Sequence, residues 1–71
     1  MNVRDLNRFD DGSVVCPEFL IEQGIIKKLK HGLRILGGGD LERNLTVQAH
    51  HLSQQAKEKI EKAGGSFEVL S

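Results

Sequence analysis

Leu45-Thr46-Val47-Gln48-Ala49-His50, the Leu52–Ala63 segment closed by Gly64-Gly65, and Ser66-Phe67-Glu68-Val69-Leu70 together decide the fold class. The first six residues alternate apolar and polar, which is the period of a strand. Ser53 is a good helix cap. Leu52, Ala56, Ile60 and Ala63 then share one helical stripe, with Lys57, Glu58, Glu61 and Lys62 around the outside. Gly64-Gly65 ends that helix, and Ser66–Leu70 reads as a last short strand. A helix near Ser53–Ala63 between two strands is therefore predicted.

Working upstream, Leu33-Arg34-Ile35-Leu36 reads as a buried strand. It lies between a basic connection, Lys27-Lys28-Leu29-Lys30-His31-Gly32, and a loop, Gly37-Gly38-Gly39-Asp40. Cys16-Pro17-Glu18 opens a first helix near Pro17–Gln23. Proline suits a first helical position, where its missing N–H has no partner anyway, and Glu18 complements the positive helix end. Gly24 closes this helix, and Ile25-Ile26 fold back as apolar contacts. Val14-Val15 is extended. Val3, Leu6 and Phe9 form a first segment, read as a strand, ended by the turn Asp10-Asp11-Gly12-Ser13.

The predicted order is strand, strand, helix, strand, strand, helix, strand. It describes an α/β domain of irregular strand-strand-helix units, with two helices packed on short strands. The predicted core is Val3, Leu6, Val15, Leu20, Ile35, Leu36, Leu45, Val47, Leu52, Ala56, Ile60 and Val69. Residues 1–71 are expected to form one domain. One cysteine, Cys16, rules out an internal disulfide and fits a reducing compartment. No apolar run approaches the roughly 20 residues that span a bilayer, and Met1–Asp5 has no hydrophobic signal region. A soluble intracellular protein is expected.

Net charge is zero, but its distribution is uneven. Residues 1–26 carry Arg4 and Arg8 against Asp5, Asp10, Asp11, Glu18 and Glu22, a net −3. Residues 27–57 carry Lys27, Lys28, Lys30, Arg34, Arg43 and Lys57 against Asp40 and Glu42, a net +4. Residues 58–71 carry Lys59 and Lys62 against Glu58, Glu61 and Glu68, a net −1. A basic block between two acidic ones attracts phosphate even on a neutral chain.

Several motifs invite chemistry, and each has an ordinary alternative. Lys27, Lys28 and Lys30, with Arg34, are placed to neutralise phosphates and release counterions; the alternative is a solvated loop. Gly37-Gly38-Gly39 lacks the lysine and Ser/Thr of a P-loop and the third spaced glycine of a dinucleotide fingerprint. Its glycines serve tight turns or the close approach of an RNA backbone, or form a mobile loop. His50-His51 would point to opposite faces of a strand and has no third ligand at suitable spacing, so no metal is expected. Cys16 has no positioned base and reads as a helix cap or small buried side chain. The N-terminal turn of the second helix, Ser53-Gln54-Gln55-Ala56-Lys57, offers N–H groups and a helix dipole to an anion; the alternative is a packing helix.

The fragments Val3–Phe9, Val15–Leu20 and Leu33–Gly37 occur in order before Leu45–His50, Ser53, Ala56-Lys57-Glu58 and Ala63-Gly64-Gly65. In that order and spacing they resemble the C-terminal globular domain of the L-fifteen family of large-subunit ribosomal proteins, of bacterial and organellar type. The resemblance covers essentially the whole chain. It implies ribosomal RNA and neighbouring ribosomal proteins as partners, a structural role that binds and braces the RNA, and no enzymatic activity, cofactor, membrane or small-molecule substrate. The expected location is a cytoplasmic ribosome, with an organellar one as the alternative.

On this resemblance the expected RNA-binding residues are Lys27, Lys28, Lys30, Arg34, Gly37, Gly38, Gly39, Arg43, His50, Ser53, Gln54 and Lys57. His50 matches a family histidine, with a hydrogen bond to RNA or to a core carbonyl as its two readings. The family's basic, glycine-rich N-terminal arm has no counterpart before Met1, so a truncated chain is expected, with a natural arm-less paralogue as the alternative, and only weak RNA binding. Gln48, Gln54 and Gln55 stand where lysine is common in the family and lower the charge of that edge. The competing functions are an arm-less protein–protein adaptor and, less well supported, a small enzyme using Cys16 and a histidine.

Overall fold

A computed structural model describes residues 1–26 and 32–70. In chain order the elements are a 3-10 helix (Val3–Arg8), β1 (Val14–Val15), α1 (Pro17–Glu22), β2 (Arg34–Ile35), β3 (Thr46–Ala49), β4 (His51–Leu52), α2 (Gln54–Lys62) and β5 (Ser66–Val69). The α/β class and both helices agree with the sequence reading.

β3 is the centre of the main sheet. Its alternation buries Val47 and Ala49 completely and leaves Thr46 and Gln48 half-buried. Two parallel strands flank it. β1 pairs Val14 with Thr46 and Val15 with Val47, and β5 runs in register from Thr46–Ser66 to Ala49–Val69. Parallel neighbours require a crossover, usually helical, and α2 lies within the one joining β3 to β5. Its Ala56 and Ile60 are fully buried, which matches the apolar stripe read from the sequence.

The extended run does not stay in one sheet. At His50 the chain bends, and β4 joins β2 in a second parallel sheet, pairing Arg34 with His51 and Ile35 with Leu52. The backbone N–H groups of His50 and His51 both donate to the Leu33 carbonyl, each at 3.0 Å. Two residues thus face one, the pattern of a β-bulge, which bends a strand and re-aims its side chains. On the other side of β2, Asn2 bridges Leu36, with Val3 N–H donating to Leu36 O at 2.9 Å and Leu36 N–H to Met1 O at 2.7 Å.

Both α-helices close alike. After α2, Gly64 N–H donates to Glu61 O and Gly65 N–H to Ile60 O; after α1, Gly24 N–H donates to Ile21 O and Ile25 N–H to Leu20 O. This is the Schellman arrangement, which needs a left-handed residue after the helix. Gly64 (φ +89°) and Gly24 (φ +73°) supply it. Ile25 then packs against the core, as its position after the glycine predicts.

Three sequence expectations are corrected. The first segment is a 3-10 helix rather than a strand: residues three apart eclipse in that helix, so Val3 and Leu6 share a buried face. Leu36 and Val69, expected in the core, are 42% and 54% exposed. Leu36 follows the inward Ile35 and so points outward; Val69 ends an edge strand. Phe9, Leu33, Leu41 and Ala49 are buried in addition to the predicted set. Phe9 meets Phe19 edge to face, with ring centroids 5.2 Å apart.

Candidate nucleic-acid interface

Because β2 and β4 run parallel and side by side, the segments that follow them emerge at the same end. The glycine loop follows β2, and the first turn of α2 follows β4. Ser53 N–H donates to Ile35 O at 3.0 Å, tying the two exits together. The Ser53 hydroxyl then accepts from Ala56 N–H at 3.1 Å, as a cap should. The Ser53 carbonyl takes Lys57 N–H at 3.0 Å. Among the described residues this leaves the amides of Gln54 and Gln55 at the positive helix end for solvent or a ligand.

The glycine loop packs on that turn without a gap. A Cβ on Gly37 would collide with the Gln55 Cβ and reach the Ala56 nitrogen at 3.1 Å. Gly38 lies against the Asn2 side chain, whose Oδ1 accepts from Gly38 N–H at 3.1 Å. Gly39 lies against the aliphatic stem of Arg4. The close approach that these glycines permit is thus made by the chain's own residues. The loop's carbonyls face a cation: Lys59 Nζ donates to Gly37 O at 2.7 Å and also to Gly39 O. A P-loop presents amides to phosphate, whereas these carbonyls hold an ammonium.

The predicted residues fall into separate places. Arg34 is exposed on β2, beside His51 of β4. Arg43 belongs elsewhere: its Nε donates to Asn7 O at 3.2 Å, and Asn7 also bonds Asp40 O and Glu42 N–H at 2.9 and 2.7 Å. Arg43 thus shares its loop with two carboxylates. Lys57 is about half a turn around α2 from Gln55, with its ammonium over the Phe67 ring, 5.8 Å from the centroid. Gln54 Nε2 donates to Glu58 Oε1 at 3.4 Å. Lys27, Lys28 and Lys30 lie outside the described residues.

His50 is held by its ring. Nδ1 accepts from Leu33 N–H at 2.9 Å, which places the ring proton on Nε2. Cys16 is half-buried at the N-cap of α1 and makes no side-chain cap bond. Among the described residues no group of three or more His, Cys, Asp or Glu side chains is placed to hold a metal, and no helix is long and apolar enough to cross a membrane.

Arg4 was missed by the sequence reading. It sits in the acidic N-terminal block, yet the Asn2–Leu36 bridge brings it across the glycine loop. No local signal announces this, because the contact joins residues far apart in the chain.

The parallel strands thus bring the glycine loop, the first turn of α2 and Arg4 together on one end of an α/β domain. A family model of ribosomal proteins, embracing the 50S-L15 and 50S-L18e types and their 60S counterpart, matches residues 1–68, and the chain belongs to this family. Membership makes it a large-subunit ribosomal protein, part of the ribonucleoprotein machinery of translation.

Proposed function

We propose that this chain binds and braces ribosomal RNA in the large subunit, using the end of the fold where β2 and β4 deliver the glycine loop and the first turn of α2. The observation that carries this reading is the meeting of Gly37–Gly39, Ser53–Gln55 and Arg4 at that end. Arg34 and the lysines Lys27, Lys28 and Lys30 belong to the stretch of sequence that leads into this end. Exposed guanidiniums and helix-start amides are donors suited to phosphate oxygens. Bracing follows from the packing: a loop held on both sides by its own chain offers RNA a preformed surface. In this reading Arg43 and Lys57 are peripheral, since each is engaged elsewhere. Neighbouring ribosomal proteins are the second class of partner.

The test is the salt dependence of binding to a fluorescently labelled RNA hairpin. Changing Lys27 and Lys28 together to alanine lowers the slope of log affinity against log salt by about one unit per phosphate contact removed. Lys62→Ala, on an exposed helix face between acidic neighbours, leaves it unchanged. A larger loss from Lys62→Ala than from the Lys27/Lys28 pair would refute the assignment of the face.

A further inference from the structure

We infer that His50 acts in RNA binding as a positioning residue, through Leu33, and does not touch RNA; this rests on the reading that the basic run contacts RNA. Three observations converge on the chain at residues 32–33, immediately after Lys27–His31. The His50 Nδ1 accepts from Leu33 N–H at 2.9 Å. The amides of His50 and His51 both donate to Leu33 O at 3.0 Å, so both polar groups of one residue's backbone are held by the same bulge. The imidazole also lies against Gly32: a Cβ there would come within 2.8 Å of His50 Cγ, and φ at Gly32 is +82°.

The backbone half of this clamp needs no particular side chain. The side-chain half needs an unprotonated acceptor at the δ position of residue 50. Leu33 is itself buried, so the clamp fixes the root of the basic run to the core. Holding both backbone groups of Leu33 pre-orders the chain that enters β2, and pre-ordering of this kind raises affinity without adding a contact.

Atom position separates the two roles. Asparagine places its Oδ1 where His50 has Nδ1; glutamine places its amide where His50 has Nε2. If His50 acts through Leu33, His50→Asn keeps the parent's affinity for the RNA hairpin, while His50→Gln lowers it about three- to tenfold, the range expected for one hydrogen bond. The salt slope stays at the parent value in both, because no phosphate contact is removed. Hydrogen exchange at the Leu33 amide stays slow in His50→Asn and becomes fast in His50→Gln. Ring nitrogen shifts in the parent report the proton on Nε2.

The reverse order, with His50→Gln retained and His50→Asn weakened, would make His50 a direct contact and overturn the inference. Equal affinities in both variants would overturn it as well, as would equal losses. A Lys27/Lys28 double-alanine variant that binds like the parent would instead refute the reading of the basic run. Leu33 exchange in the two His50 variants would still decide whether the clamp exists.

Discussion

Lys59 tests whether the glycine loop is held by the helix beneath it. From its sequence neighbours, Glu58 and Glu61, this lysine looks like one member of a solvated, charge-balanced face. The structure turns its ammonium onto Gly37 O and Gly39 O. Lys59→Met keeps most of the stem and removes the donor. Gly39 is exposed, so water replaces that bond at little cost. Gly37 is buried, and its carbonyl would lose a charge-assisted partner, worth about 1.5–3 kcal/mol. Because Lys59 is itself half-exposed, the lower half of that range is expected, about 2 kcal/mol. For a domain of this size that corresponds to a fall in Tm of about 8–16 °C. Urea unfolding followed by circular dichroism, at low and high salt, measures it. A loss under about 0.5 kcal/mol that disappears in high salt would indicate a surface ion pair along the helix and refute the reasoning. Lys59→Arg should recover only part of the loss, since a bulkier planar guanidinium does not fit the place of a compact ammonium between the two carbonyls.

Two further substitutions test the packing. Ile60→Ala should cost about 2–5 kcal/mol, since Ile60 is fully buried; a urea midpoint close to the parent's would mean that α2 does not seat on the sheet. Gly65→Ala should cost about 1–3 kcal/mol, because a Cβ there falls on the Leu45 backbone, and an unchanged Tm would contradict the tight exit from α2 into β5.

How far the chain could be read without its structure depends on how local each signal is. α2 was legible throughout. Its cap is Ser53, its buried positions recur at Ala56 and Ile60, and its end is written in Gly64-Gly65, all within one window. α1 was legible for the same reason, from Pro17 to Gly24, as was β3 from its alternation. The first segment was not. Val3, Leu6 and Phe9 are spaced by three, which suits a 3-10 helix, but six residues are too few for that period to stand out from a short apolar strand. Leu36 and Val69 carry apolar side chains to the surface because pleat direction and edge position, not residue type, decide their exposure.

By itself the sequence determined the α/β class, the two helices with their limits, most of the core, and the family resemblance later matched over residues 1–68. These depend on side-chain period, capping chemistry and backbone permissiveness, which act over a few residues. Tertiary structure alone decided that the strands pair in parallel in two sheets and that His50 grips Leu33. It also decided that Arg4 crosses to Gly39 and that Lys59 holds the glycine loop. Each of these joins residues at least 17 positions apart. Such pairings follow from which surfaces the chain buries against one another, and no local propensity encodes them.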